Sequence, residues 1–363
     1  MKSLLPCALI TGWMFRIAKS QNLGEMTRIS DPNNVFVLPS EDVKHEATWL
    51  QWPHNYGWDP RHIQRYEDIW VEMTRALHTG EKVRIIVYNW RQKRRVRNVL
   101  ENNGLDMSQI QFYTYPTDDV WIRDNGPIFV QDQQGNMIVE NWKFNGWGGK
   151  ADWWYDDYIP RDVSWELYLP VTSIPMVNEG GSIEVDGRGT LMAKRSSILN
   201  DNRNPGATQA EVEAYFRRYL GVTNFIWLDG TAGLEITDDH IDGTARFANG
   251  DTIVTLEKQD FIVPTEYDIL TRATDADGKP YKIVHLPLTA KEIPSIGEHG
   301  LYINYYAGNN AIVFPIFQDA NDQKAIDIIQ GLYPDKTVVP IDFTELYLDG
   351  GLAHCVTMQQ PTL

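Results

Sequence analysis

The chain has 363 residues, of which 42% are hydrophobic and 23% charged, as in globular proteins with one large domain or two average ones. Its formal net charge of −16 argues against nucleic acid and anionic membrane surfaces as partners, and suits a small cationic ligand, although acidic residues also serve solubility alone. The two cysteines, Cys7 and Cys355, exclude a disulfide framework and a zinc site built from cysteines alone.

The first residues of the chain allow two interpretations. An apolar run at residues 3–15 is followed by Ala18-Lys19-Ser20, which resembles a weak signal-peptidase site. A proline inside that run disfavours export, and Met26 is an alternative start. We expect residues 1–30 to be a leader or a disordered N-terminus. We expect the protein to be cytoplasmic, or secreted or periplasmic if this segment is a signal peptide. No stretch of the sequence is long and apolar enough to span a membrane.

After the leader, the spacing of apolar residues predicts four elements before the first polar motif. They are a strand at His45–Pro53, a helix at Arg61–His78, a strand at Val83–Val87 and a helix at Gln92–Asn102. The last helix is basic, and at this net charge its cations are best interpreted as a solvated face.

From Ile128 onward, two short apolar segments joined by a turn containing Gly or Asn recur at intervals of roughly sixty residues, which predicts repeated hairpins. The predicted hairpins pair Ile128–Val130 with Met137–Val139, Ser182–Val185 with Thr190–Met192, Thr244–Phe247 with Thr252–Val254, and Leu301–Tyr305 with Ala311–Val313. Helices are predicted between them at Thr208–Leu220, with a capping box from Thr208 and Glu211, and at Asp322–Leu332.

Polar residues of chemical interest stand just before these hairpins or near the C-terminus: Asp124, Glu179, His240, Asp242, Asn304 and Cys355. If the repeated units surround an axis, these positions converge at its centre. Since no linker interrupts the chain after Val35, the sequence predicts one α/β domain at residues 31–363 with a single central site.

Cys355 follows Gly350-Gly351-Leu352-Ala353-His354, where it is either a nucleophile or a small buried hydrophobe. On a strand, its neighbour His354 would point to the opposite face, so His240 is the better base. Also on a strand, His240 and Asp242 would project to one face together with Asp238.

A cysteine, a histidine and two carboxylates allow more than one chemistry. A cysteine protease needs Cys, His and one orienting Asn or Asp, and an amidase of the Cys-Glu-Lys type needs a lysine that is not seen near this cysteine. An enzyme acting on guanidines needs two carboxylates, because a guanidinium stays charged and presents its donors in a planar fork. Two carboxylates gripping that fork would orient its carbon toward a thiolate.

Five motifs in one order resemble those of the agmatine deiminase/bacterial peptidylarginine deiminase family of the pentein superfamily, and the resemblance runs from about His45 to the C-terminus. The motifs are Asp119–Pro127 (DVWIRDNGP), Asn178–Ser182 (NEGGS), Asn200–Pro205 (NDNRNP), His240–Asp242 (HID) and Gly350–Thr357 (GGLAHCVT). The resemblance implies a five-bladed, pseudo-fivefold α/β propeller with a central active site. It also implies hydrolysis of a guanidine to a ureido group and ammonia, without a metal or organic cofactor.

By motif position, the resemblance implies that Cys355 is the nucleophile and His240 the general acid/base, while Asp124 and Asp242 hold the guanidinium. The residues expected to bind the rest of the substrate are Trp121, Trp147, Glu179, Asp238 and Asn304.

The segment Phe144–Lys150 (FNGWGGK) resembles the branch of the family that uses agmatine. The peptidylarginine branch has arginines near this place for a substrate carboxylate, whereas Lys150 is the only nearby cation here. We therefore expect conversion of agmatine to N-carbamoylputrescine, a step toward putrescine, with Asp238 or Glu235 receiving the far amine. Peptidylarginine or free arginine is the alternative. Two features depart from the agmatine branch: Asp239 stands where that branch has Gly, and the Gly-rich run before the cysteine is short. A different small guanidine therefore stays an alternative substrate.

Two other classes of protein compete with this hypothesis. One is a non-catalytic, tryptophan-rich repeat protein that binds a ligand, since the chain has 13 Trp and Cys355 would then be merely buried. The other is a Cys-His-Asp peptidase or transferase, which would not need Asp124. The expected partner is a small cationic guanidine, with neither nucleic acid nor membrane, and a homo-oligomer is left open.

Overall fold

The computed structural model describes residues 35–54 and 60–362, with side chains omitted for residues 60–64. The predicted leader at residues 1–30, with Cys7, lies outside the described residues. Within the described part of the chain, no helix is long and apolar enough to cross a membrane.

Helices and strands alternate along the described chain in a mixed α/β fold. The strands are β1 His45–Gln51, β2 Lys82–Val87, β3 Ile110–Thr114, β4 Ile128–Gln131, β5 Met137–Lys143, β6 Val171–Val177, β7 Ile183–Val185, β8 Thr190–Lys194, β9 Asn224–Leu228, β10 Ala245–Ala248, β11 Thr252–Leu256, β12 Lys282–Leu286, β13 Leu288–Ile293, β14 Glu298–Leu301, β15 Tyr306–Ala307, β16 Ala311–Ile316, β17 Thr337–Asp342 and β18 Met358–Pro361. The α-helices are α1 Pro60–Leu77, α2 Trp90–Asn102, α3 Ile122–Asn125, α4 Ile159–Leu167, α5 Arg195–Ile198, α6 Gln209–Tyr219, α7 Pro264–Thr271, α8 Asp322–Leu332 and α9 Thr344–Tyr347.

Five of the six sheets among the described residues share one strand pattern. In each, two antiparallel strands are followed by a third that runs parallel to the second: β4-β5-β6, β7-β8-β9, β10-β11-β12, β15-β16-β17 and β18-β1-β2. A parallel third strand requires a crossover connection, and α4, α6, α7, α8 and α1 lie in these connections. β3 extends the last of these sheets, and β13 and β14 form a separate hairpin.

The C-terminal strand β18 completes the sheet that begins with β1, because it pairs with β1 in antiparallel register, Trp49 opposite Met358. The segment just before β18 therefore occupies the same place in its sheet as the segments before β4, β7, β10 and β15. The polar residues predicted to converge all lie in these five segments, which explains why residues far apart in sequence meet.

Most predicted elements are confirmed. The helix at Asp322–Leu332 has the predicted bounds, and Thr208 caps α6 in a capping box with Glu211. The strand predicted at Leu301–Tyr305 is wrong, because β14 ends at Leu301 and residues 302–305 bend away. The apolar pattern there reflects burial and not strand pairing: Tyr302 and Tyr305 are fully buried, and Tyr302 stacks on Phe314.

Candidate active site

Cys355 lies in a turn, residues 353–356, directly before β18, and its side chain is partly buried. Its Sγ lies 3.3 Å from Oδ1 of Asn304 and 3.9 Å from Oδ2 of Asp242. Burial, with the carboxylates of Asp242 and Asp124, raises the pKa of the Cys355 thiol well above its usual value. The thiol of the free protein is therefore neutral at pH 7, and a positive charge beside it would favour ionisation.

Asp124 lies in the short helix α3 and is buried. One carboxylate oxygen accepts the backbone N–H of Gly181 and the other accepts Nε1–H of Trp147, each at 2.9 Å. Burial raises the pKa of Asp124, and the imidazole of His240, 3.7 Å away, acts in the opposite direction. The two donors fix the orientation of the carboxylate without neutralising its charge.

A left-handed turn at Gly146–Gly149 brings Trp147 to Asp124. All four residues have positive φ, with values of 65°, 53°, 85° and 77°. Glycine adopts this conformation freely, whereas a residue with a Cβ pays roughly 1–2 kcal/mol, so three glycines make the turn possible. The strain is confined to Trp147, the residue whose indole contacts the Asp124 carboxylate, and strained residues of this kind cluster at functional sites.

His240 stands at the start of a 3₁₀ helix, Ile241–Gly243, with its Nε2 2.8 Å from Oε2 of Glu179. Burial disfavours the charged ring, but Asp124 and Glu179 more than offset this and raise the pKa of His240 to about 9. Glu179 also accepts Nε–H of Arg203 at 2.7 Å, and these two cations hold its pKa below the usual value despite burial. His240 is therefore protonated and held in one orientation at neutral pH.

His240 and Asp242 do not lie on a strand, because Asp238 and Asp239 have φ of 62° and 73° and turn the chain into the 3₁₀ helix. The side chains of His240 and Asp242 nevertheless both reach the site. Gly181 shows how closely: a Cβ built on it would lie 2.7 Å from Nδ1 of His240, 2.8 Å from Oδ1 of Asp124 and 3.0 Å from Oδ2 of Asp242. Three functional groups thus meet around one point that only glycine leaves open.

Asp242 is held from behind by His354, whose Nδ1 lies 2.7 Å from Oδ2 of Asp242. Burial acts to raise the pKa of Asp242, but His354 and His240 lower it below the usual value. The other ring nitrogen of His354 lies 2.8 Å from Oε2 of Glu41. Because both nitrogens face carboxylates, His354 has none left for Cys355, as predicted. The reason differs from the predicted one: His354 lies in a turn and is paired with two carboxylates, whereas the sequence analysis assumed side chains that alternate along a strand.

Asn304 lies at the bend before β15 and is bonded to both His354 and Asp242. Its Oδ1 accepts the backbone N–H of His354 at 3.1 Å, and its Nδ2 donates to the backbone carbonyl of Asp242 at 3.4 Å. The amide therefore ties the segment that bears the nucleophile to the segment that bears Asp242.

Trp121 precedes α3, and its ring packs against Gly351, where an added Cβ would lie 2.2 Å from the indole. The glycine lets the indole lie beside the chain that leads to Cys355. Trp121 and Trp147 are both buried and supply apolar surface next to the polar groups.

Asp238 is engaged by other protein groups. Its Oδ2 accepts hydrogen bonds from Lys150 at 2.7 Å, from Asn202 at 3.2 Å and from Arg203, and its Oδ1 accepts the N–H of Gly233. These donors lower the pKa of Asp238 to about 2 although burial acts to raise it. A substrate amine would have to displace Lys150 to reach this carboxylate. Glu235 is exposed and accepts hydrogen bonds from Thr237.

The arrangement can hold a planar cation. A thiol, two buried carboxylates and a protonated imidazole lie close together, and a guanidinium bound between the carboxylates would satisfy them with paired N–H donors. In the ranges 35–54 and 60–362, no cluster of three His, Cys, Asp or Glu side chains is suited to a metal ion.

Sequence reasoning missed three residues of this site. Arg203 lies in the NDNRNP motif but had no role assigned, and Gly181 lies in NEGGS beside Glu179. The motifs were the signal for both. Glu41 lies before the first predicted strand in no motif, so nothing in the sequence singled it out.

Comparison with known proteins identifies the family of this chain. The sequence model of the family described as Porphyromonas-type peptidyl-arginine deiminase matches residues 37–361. A Streptomyces coelicolor protein named "Putative agmatine deiminase" is 35% identical over 342 residues, which cover 90% of this chain and 99% of that protein. A Mycoplasma mycoides protein of the same name is 32% identical over 359 residues, with 90% and 96% covered.

A solved structure, the agmatine deiminase of Enterococcus faecalis, superposes with a TM-score of 0.80 at 26% identity and covers 90% of this chain and 96% of that one. A solved arginine deiminase of Porphyromonas gingivalis, named as putative, gives a TM-score of 0.79 at 28% identity, with 90% and 98% covered. The motifs predicted this relationship, and the chain belongs to the Porphyromonas-type peptidyl-arginine deiminase family.

Proposed function

We propose that this protein hydrolyses the guanidinium group of agmatine to a ureido group and ammonia, giving N-carbamoylputrescine. The observation that supports this most is the meeting of the Cys355 thiol with the carboxylates of Asp124 and Asp242 around a protonated His240. The names of relatives that match nearly the whole chain point to the same reaction.

In the first step, the guanidinium lies between Asp124 and Asp242, and its positive charge offsets the two carboxylates that raise the pKa of the thiol. Cys355 then loses its proton to solvent, and the thiolate attacks the guanidinium carbon. As the C–S bond forms, the π electrons of the guanidinium return to a nitrogen and the carbon becomes tetrahedral, while the carboxylates hold the amino groups through N–H···O bonds.

In the second step, His240 gives a proton to one amino group, the C–N bond breaks and ammonia leaves a thiouronium on Cys355. Neutral His240 then takes a proton from water, and the resulting hydroxide attacks the same carbon. Collapse of this second tetrahedral species breaks the C–S bond, releases the ureido product and restores the thiolate. The hydroxyl proton passes to solvent, which balances the proton that reprotonates Cys355. Glu179 keeps the ring of His240 in place through its bond to Nε2.

The repeated strand pattern supports a five-bladed α/β propeller, formed by a single domain of residues 31–363 with the site on its axis. Each of the five sheets that share the pattern would be one blade, and the five polar segments would face the axis. The pairing of β18 with β1 would close the ring.

Agmatine is the expected substrate because the cations around the site are already paired. Lys150 is bonded to Asp238, and Arg203 is bonded to Glu179 and Asp238. The α-carboxylate of free arginine would meet these acids without a partner, whereas the ammonium of agmatine can compete with Lys150 for Asp238. Trp121 and Trp147 would pack on the methylene chain.

Assaying ureido product from agmatine, free arginine and a peptide ending in arginine tests the substrate. We expect the highest kcat/KM for agmatine, since it alone lacks a carboxylate next to the charged chain. A higher value for arginine or for the peptide would refute the substrate and keep the reaction, and no ureido product from any of the three would refute both.

Replacing either carboxylate by its amide, Asp124→Asn or Asp242→Asn, should lower kcat/KM on the order of a hundredfold, because a charge-assisted bond to the buried cation is lost. The double variant should lose less than the product of the two factors, since both groups act on one guanidinium. Glu140→Gln is the matched control, a fully buried carboxyl bonded to Trp142. Normal kinetics in Asp124→Asn with a lower melting temperature would make Asp124 a structural residue.

The reactivity of the thiol should depend on pH in a defined direction. Because the pKa of Cys355 lies well above its usual value in the free protein, the rate of alkylation by iodoacetamide should rise about tenfold per pH unit through pH 9. Asp124→Asn removes one negative charge and should speed alkylation at pH 8. The reaction is followed on the peptide that contains Cys355, so Cys7 does not contribute; a rate that levels off below pH 8 would contradict the pKa shift.

A further inference from the structure

Each of the five sheets that share the strand pattern is preceded by a polar segment. Glu41 contacts residues of four of these sheets or of the segments before them, although it belongs to none of them. Its carboxylate accepts hydrogen bonds from Arg123 of α3 at 3.1 Å, from the backbone N–H of Ala307 in β15 at 3.0 Å and from His354 at 2.8 Å, and it forms an ion pair with Arg246 of β10, 2.9 Å away. Burial acts to raise the pKa of Glu41, but Arg246, His354 and Arg123 hold it well below the usual value. One charged carboxylate thus connects segments spread over most of the chain.

The backbone around Glu41 is fixed by two neighbouring sheets. Val37 exchanges two hydrogen bonds with Gln131 of β4, Phe36 donates to the carbonyl of Arg218 in α6, and the buried ring of Phe36 stacks on Tyr219. On the other side, Nε2 of His45 lies 2.6 Å from the carbonyl oxygen of Glu41. The segment of residues 35–44 is therefore tied down on both sides of Glu41, and its carboxylate has a set position.

His354 links Glu41 to the active site. Its ring lies between Oε2 of Glu41, 2.8 Å from Nε2, and Oδ2 of Asp242, 2.7 Å from Nδ1. A ring with a carboxylate oxygen within 2.8 Å of each nitrogen cannot rotate without losing one of these two contacts. Oδ2 of Asp242 also lies 3.9 Å from Sγ of Cys355.

We propose that Glu41 is a positioning residue for catalysis, which acts through the His354 ring to hold the Asp242 carboxylate against the substrate guanidinium. This inference rests on the proposed function, since it assigns Asp242 to the guanidinium. The chain of bonds Glu41–His354–Asp242 is continuous, and each member is nine-tenths buried or nearly so. Without Glu41, the His354 ring would be free to turn. Oδ2 of Asp242 would then lose the ring nitrogen that fixes its position.

Double-mutant cycles on kcat/KM for agmatine test the proposal. Glu41→Gln keeps the size of the side chain and removes its charge. His354→Asn leaves an amide donor near the position of Nδ1 and cuts the link to Glu41. Each is made alone and together with Asp242→Asn. The control is Tyr281→Phe, which removes a buried hydrogen bond to Asp186 far from these residues in the chain.

We expect Glu41→Gln and His354→Asn each to lower kcat/KM tenfold or more in the wild-type background and to have little further effect in the Asp242→Asn background. Tyr281→Phe should lower the melting temperature alone. Equal factors in both backgrounds, or normal kinetics in either single variant, would overturn the proposal. If Glu41→Gln does not fold, the His354→Asn cycle decides alone. Wild-type protein without ureido product would instead refute the proposed function.

Discussion

Two carboxylates buried beside a thiol set the main constraint on this structure. Burying a charge without a partner costs several kcal/mol, and removing one member of a buried pair leaves the other uncompensated. Around Asp124 and Asp242 the chain places Trp147, Gly181 and His354 as hydrogen-bond partners, and His240 as a cation 3.7 Å from Asp124. These donors orient the two carboxylates toward one space, which a planar cation would complete.

The same constraint separates the competing hypotheses. A Cys-His-Asp peptidase has no use for a second buried carboxylate beside its nucleophile, yet Asp124 is held there by a strained tryptophan and a glycine amide. A ligand-binding protein without catalysis has no use for a protonated histidine locked by Glu179. The guanidine hypothesis alone gives each of these groups a task.

How much of this follows from sequence depends on the kind of residue. Asp322–Leu332 and the box at Thr208 were predictable, because local periodicity and caps determine them. The residues before the hairpins were predictable as a set, because a repeated pattern puts them in equivalent places. The bend at residues 302–305 was not predictable from the sequence. Its tyrosines are buried in the core, and their spacing in the sequence resembles that of a strand. Glu41 was not, because its partners come from segments that only the folded chain brings together.

The account depends most on a covalent bond between Cys355 and the substrate carbon. Wild-type protein mixed with agmatine, quenched in acid within a single turnover and digested for mass spectrometry tests this directly. The account predicts that the peptide containing Cys355 is heavier by the mass of agmatine less one ammonia, and that this species disappears as ureido product forms. Ureido product formed at a full rate with no adduct, or an adduct on another residue, would contradict it.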